Sequence, residues 1–171
     1  MEKRHNIFAA TGPDRPGVMD DVSLFLYESG ANILDSRVCI LRGRFAILLH
    51  ISGDEKTMRA VEGGLAGLGE RAGLRAELQP ASDGPSSSSS HLKLHAAGTD
   101  QAGVVHKLSH LMRVLNVNID NVETHVDEGD GGHFELEMDL AVPRETPLVM
   151  LKQYVESLSK EIGIECQIGA M

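Results

Sequence analysis

The chain is written twice, and that repetition limits what it can fold into more than any other feature. Residues 10–35 lie on residues 96–121 without a gap, at a constant offset of 86. Eight of those 26 positions are identical: Ala10/Ala96, Gly12/Gly98, Asp14/Asp100, Gly17/Gly103, Val18/Val104, Ser23/Ser109, Asn32/Asn118 and Ile33/Ile119. Further along the offset grows to 90, because the second copy has a longer turn, "DEGDGG", where the first has "RGR". Self-similarity on this scale means one supersecondary unit used twice, so a fold for the first half has to serve the second.

Each copy switches between two hydrophobic periods. Val18, Val22, Phe25 and Leu26 recur at helical spacing, and Val104, Leu108, Leu111 and Met112 repeat it. Phe134, Leu136, Met138 and Leu140 alternate with Glu135, Glu137 and Asp139, the pattern of a strand with one wet face. A closing helix carries Met58, Val61, Leu65 and Leu68, matched by Leu148, Leu151, Val155 and Leu158. Final strands "LRAELQ" and "IECQIG" follow Gly73 and Gly163. The order strand, helix, strand, strand, helix, strand predicts an α+β chain of two ferredoxin-like βαββαβ domains. Each is an antiparallel four-stranded sheet with two helices on one face. The first domain is placed at residues 1–79 and the second at 91–171. Between them "PASDGPSSSSS", residues 80–90, is too rich in Ser, Gly and Pro to pack and reads as a flexible linker.

Composition narrows the function. A formal net charge of −9 argues against direct binding to nucleic acid or an anionic membrane, since both need basic patches. No apolar run reaches spanning length and no secretory segment occurs, which leads us to expect a cytoplasmic protein. With no Trp and 4% aromatics, the cores must be aliphatic. Cys39 and Cys166 sit in apolar, strand-like stretches and are expected to be buried reduced thiols. On the face away from the helices the first copy places Ala46, Leu48 and His50 where the second has Glu135, Glu137 and Asp139. The first outer face is thus expected to be partly covered, by the other domain or by a second chain, and its apolar positions suggest a homodimer.

The densest motif is "ATGPDRPGVM", residues 10–19. Asp14 suits a helix N-cap and Pro16 a first helical turn. Gly17 costs roughly 1 kcal/mol relative to Ala inside a helix, so either tight packing or a ligand approaching the helix N-terminus should need its missing side chain. Asn32 and Asn118 stand before Ile33 and Ile119, at the start of a strand expected to run alongside the first-helix loop. Each is either a helix-exit residue in a left-handed conformation or an amide that donates to a carboxylate and accepts from an ammonium. His106 and His110 are four apart, but "HKLSH" has no Glu for a metalloprotease motif and no third ligand is apparent. No metal, cofactor or catalytic residue is expected.

The stretch "TGPDRPGVMDDVSLFLYESGANI" resembles the signature of ACT domains, βαββαβ modules that bind amino acids and related metabolites. Its "GPDRPG" variety is similar to that of glycine cleavage system transcriptional repressors, of formyltetrahydrofolate deformylases and of some phosphoserine phosphatases. The resemblance covers nearly the whole chain apart from the linker. It implies a non-enzymatic regulator that binds a small amino acid, with glycine and serine the natural candidates, and that acts on a DNA-binding transcriptional regulator without touching DNA itself. It implies a site in which the first-helix loop of one domain meets the start of the second strand of a neighbour. Asp14, Arg15, Pro16 and Gly17 would form one wall, with Asn32 and Ile33 as the strand residues. In the second copy Asp100, Gly103, Asn118 and Ile119 match, while Gln101 and Ala102 depart from the pattern.

Overall fold

A computed structural model describes residues 3–82, 89–127 and 132–170, and its chain falls into two compact units divided after residue 84. The first runs β1 (Arg4–Pro13), α1 (Val18–Glu28), β2 (Asn32–Leu41), β3 (Arg44–Gly53), α2 (Glu55–Ala72) and β4 (Arg75–Pro80). The second runs β5 (Ser89–Thr99), α3 (Val104–Val114), β6 (Asn118–Asp127), β7 (His133–Pro143), α4 (Leu148–Ile162) and β8 (Glu165–Ala170). The sheets are ordered β2-β3-β1-β4 and β6-β7-β5-β8, with every pair antiparallel. Both units are βαββαβ, the ferredoxin-like arrangement that the two hydrophobic periods predict.

Alternation decides which face of each sheet is dry. In the first unit Phe8 and Ala10 of β1, with Phe45, Ile47, Leu49 and Ile51 of β3, point under Val18, Val22 and Leu26 of α1 and Met58, Val61 and Leu68 of α2. In the second, Leu94 and Ala96 of β5 and the Phe134-to-Val142 row of β7 lie under Val104, Leu108, Met112, Leu151 and Val155. Apart from Phe8, Phe25, Phe45 and Phe134, these cores are built from aliphatic residues and Met.

Three details differ from the sequence reading. Phe45 pairs with Gly12 and Phe134 with Gly98, so the strands match at an offset of 89, and 90 is reached only at the closing helices. One residue is therefore inserted between β7 and α4. That junction, "PRETP", also shortens the helix: α4 starts at Leu148 after Pro147, whereas α2 has a full turn before Met58. Leu148 is accordingly 40% exposed where Met58 is 6% exposed. The first turn of α2 is held by Asp54, whose carboxylate accepts the Thr57 backbone N–H at 2.7 Å, a bond that holds its pKa below the ordinary carboxylate value.

Third, Cys39 is exposed, because β2 is an edge strand whose residues from Leu34 onward are uncovered. Cys166 is half-buried, which pushes its thiol pKa up. On the outer face Leu48 is 54% exposed. Next to it, Nδ1 of His5 and Nε2 of His50 are 3.0 Å apart. Of the linker expected over 80–90, residues 83–88 lie outside the described residues; Pro80 ends β4 and Ser89–Ser90 open β5. The turn residues 128–131 also lie outside them.

In the helix pair of the first unit one contact is close. A Cβ on Gly64 of α2 would lie 2.5 Å from Cε2 of Phe25 on α1, whereas a Cβ on neighbouring Gly63 would meet nothing within 4 Å. Gly63→Ala should therefore raise the stability of the unit by up to about 1 kcal/mol through helix propensity. Gly64→Ala should lower it by roughly 1–3 kcal/mol through overpacking, despite the same gain in propensity. Thermal melts of the two variants should move in opposite directions.

Candidate functional site

The loop from Pro13 to Gly17 is held by backbone on two sides. The Asp14 N–H donates to the Gly43 carbonyl, in the turn between β2 and β3, at 2.9 Å. In the second unit the Asp100 N–H donates to the Gly132 carbonyl at 2.8 Å. On the other side Val18 N–H reaches the Arg15 carbonyl at 3.3 Å and Asp21 N–H the Gly17 carbonyl at 2.9 Å, winding the loop into α1. Asp14 is thus not the N-cap that its residue type suggests. Gly17 caps α1 and Gly103 caps α3, both without a side-chain hydrogen bond.

The glycines answer to backbone geometry. Gly17 has φ +88° and Gly103 φ +94°, in the left-handed region that costs other residues energy. Packing does not require them: a Cβ on Gly17 would meet only Nη1 of Arg15, at 3.8 Å, and one on Gly103 nothing within 4 Å. The space beside each helix N-terminus is open. Asp14 and Asp100, three residues before each capping glycine, are exposed.

Arg15 is a clamp. Its Nη2 donates to Oδ2 of Asp21 at 2.5 Å and to the Ala72 carbonyl at 3.5 Å, where α2 ends. Helix C-terminal carbonyls lack intrahelical partners and attract a cation. Gln101 does the corresponding work in the second unit: its Nε2 donates to the carbonyl of Ile162, the counterpart of Ala72, at 2.7 Å. The apparent departure at Gln101 therefore preserves the clamp and loses only the ion pair. Lys107 stands where the first unit has Asp21, and in place of Asp20 there is His106, so the start of α3 is cationic where that of α1 is acidic.

Asn32 and Ile33 are not beside this loop. β2 begins opposite Ser52, near the end of β3, whereas Pro13 pairs with Arg44 at its beginning. Arg44 and Ser52 are eight residues apart along β3, about 26 Å at roughly 3.3 Å per residue. The second unit repeats the separation, with Asn118 opposite Ala141 and Thr99 opposite His133. It is the far end of β2, with the turn at Gly43, that touches the loop. The left-handed helix exit falls on Gly30 and Asn116 (φ +82° and +55°), not on Asn32 or Asn118. Asn118 Nδ2 instead donates to Oδ1 of Asp120 at 2.7 Å, on the residue that bulges from β6; Leu34 occupies the matching bulge in β2.

Each unit therefore gathers Asp14 to Gly17, or Asp100 to Gly103, at one end of its sheet and Asn32–Ile33, or Asn118–Ile119, at the other. Sequence reasoning missed the hairpin glycines Gly43 and Gly132, whose carbonyls anchor the loop. It also missed the helix-end carbonyls of Ala72 and Ile162. The one available signal was a long hydrogen-bonding side chain at the same position of both copies, Arg15 and Gln101. No three His, Cys, Asp or Glu residues come together as a metal site among the described residues, and no described helix is long and apolar enough to cross a membrane.

Residues 7–79 match the family model described as ACT domain. No curated protein matches the chain. A solved structure described as a candidate glycine cleavage system transcriptional repressor is 20% identical, with TM-score 0.76, over 99% of this chain and 98% of that one. An unknown protein from Galdieria sulphuraria is 23% identical, with TM-score 0.79, over 99% of each chain. At these identities the likeness establishes the fold.

The clamp and the glycine make separable predictions. Arg15→Gln should melt close to the wild type, whereas Arg15→Ala should lose about 1 kcal/mol with the carbonyl contact. Gly17→Ala should cost roughly 1–2 kcal/mol and Gly17→Asn less, because Asn tolerates the left-handed region. Equal melting of all four would show that neither feature shapes the loop.

Proposed function

From a chain whose first unit is an ACT domain and whose second repeats that fold, we propose a regulatory, non-enzymatic protein that binds a small amino acid, glycine or serine. The observation that carries this is the start of α1: an N-terminus with no side-chain cap, open space where Gly17 lacks a Cβ, and the exposed Asp14 carboxylate alongside. Free N–H groups at a helix start attract the ligand carboxylate, and Asp14 receives its ammonium. Gly103 and Asp100 offer the same pair in the second unit.

Because the strand residues lie at the opposite end of each sheet, Asn32–Ile33 and Asn118–Ile119 serve the loop of a neighbouring module. Ligand binding is thereby coupled to module pairing in a homodimer. The paired surface is read by a DNA-binding transcriptional regulator in the cytoplasm. This chain, at net charge −9, leaves the DNA contact to that partner. A second reading, an interaction module of paired ACT domains with no ligand, is favoured by one observation: backbone conformation by itself accounts for Gly17.

A thermal-shift panel of the twenty amino acids separates the two. A ligand at 100 times its Kd adds about 2.7 kcal/mol, a rise of several degrees. A selective rise with glycine or serine, lost in Asp14→Ala and Asn32→Ala but kept in Gly63→Ala, supports the sensor. A flat panel supports the ligand-free module.

A further inference from the structure

The two units pack their helix pairs differently, although their folds match. In the first, the seam between α1 and α2 is filled by the Phe25 ring lying on Gly64, and Phe25 is only 7% exposed. In the second, the residue at the position of Phe25 is the smaller Leu111. The residue at the position of Gly64, equally far before the C-cap glycine, is Tyr154. Tyr154 stands 46% exposed, and the α3–α4 seam opens into a cleft of about 510 Å³. Leu111, Val114, Tyr154 and Leu158 give it an apolar lining, and its volume is that of a small-molecule site.

The rim of the cleft carries basic side chains. α3 holds His106, Lys107, His110 and Arg113 and no carboxylate, within a chain of net charge −9. The first three line the cleft. α1, in the same position of the first unit, holds Asp20, Asp21 and Glu28 and no cation. One carboxylate, Glu161, lies on the cleft wall, with Lys107 Nζ 3.7 Å away and both groups exposed. An exposed pair at that distance is weak, so Lys107 can turn to another anion.

We propose that the α3–α4 cleft binds a small organic acid with an apolar body. Its ring or branched chain lies against Leu111, Tyr154 and Leu158, and its carboxylate faces Lys107, His106 and His110. The apolar wall supplies burial, while Lys107 discriminates against neutral and cationic analogues. This site lies wholly on the helix seam of the second unit and includes neither Asp100 nor Asn118.

Isothermal titration of the full chain with hydrocinnamate, and with its neutral amide as the control, tests the assignment. The acid should bind one-to-one, and the amide at least about tenfold more weakly. Leu111→Phe/Tyr154→Gly copies the filled seam of the first unit. It should abolish binding while the circular dichroism spectrum and a cooperative melt are retained. Lys107→Glu and His110→Glu, both on the surface, should each weaken the acid by about tenfold without affecting the fold. These surface variants decide the matter if the double variant does not fold.

No binding of the acid up to about 10 mM overturns the proposal, as does equal affinity for the amide. So does affinity unchanged by the seam variant or by the rim variants. Loss of a dimer in the seam variant, with no affinity for hydrocinnamate in the wild type, would assign the cleft to a second copy and also overturn it.

Discussion

Everything in each unit hangs from the central antiparallel pair, β1 with β3 and β5 with β7, whose inward row has to be kept dry by only two helices. Units of this size bury a modest fraction of their surface, so each helix must supply a continuous apolar stripe. This explains why helical spacing is repeated so faithfully between copies while the outward residues differ freely. Leu48 faces water where its counterpart is Glu137, and neither affects the row beneath.

The loop before the first helix depends on the same arrangement. With β1 fixed against β3, Pro13 arrives beside the hairpin turn. The carbonyl of Gly43 then takes the Asp14 N–H, and the end of α2 offers its carbonyls to Arg15. The chain must next reverse into α1 within a few residues, and a glycine at positive φ allows it. A helix start left uncapped and open to solvent follows from this geometry. The feature that makes the loop a candidate site is also the cheapest way to join the strand to the helix.

Between the copies the largest divergence lies in the helix seam. Phe25 on Gly64 closes it, and Leu111 with Tyr154 opens it, yet strand order, register and both helix-capping glycines are unchanged. Helix pairs tolerate this because each helix is anchored by its own stripe on the sheet. The seam between them is a secondary contact, free to be filled or left as a cleft.

The sequence by itself determined the doubling, the order of elements and the inward rows. All of these are local patterns whose period or residue type carries the information. It misread what depends on residues far apart in the chain. Asn32 lies near Asp14 in sequence, but one helix intervenes, and antiparallel geometry sends them to opposite ends of the sheet. The left-handed φ of Gly17 and Gly103 is likewise absent from the sequence, because a residue name does not state a backbone angle. Gln101 looked like a departure because the Ile162 carbonyl it grips lies 61 residues away. Only tertiary structure brings such partners together, because backbone carbonyls and helix seams are sites that no residue type announces.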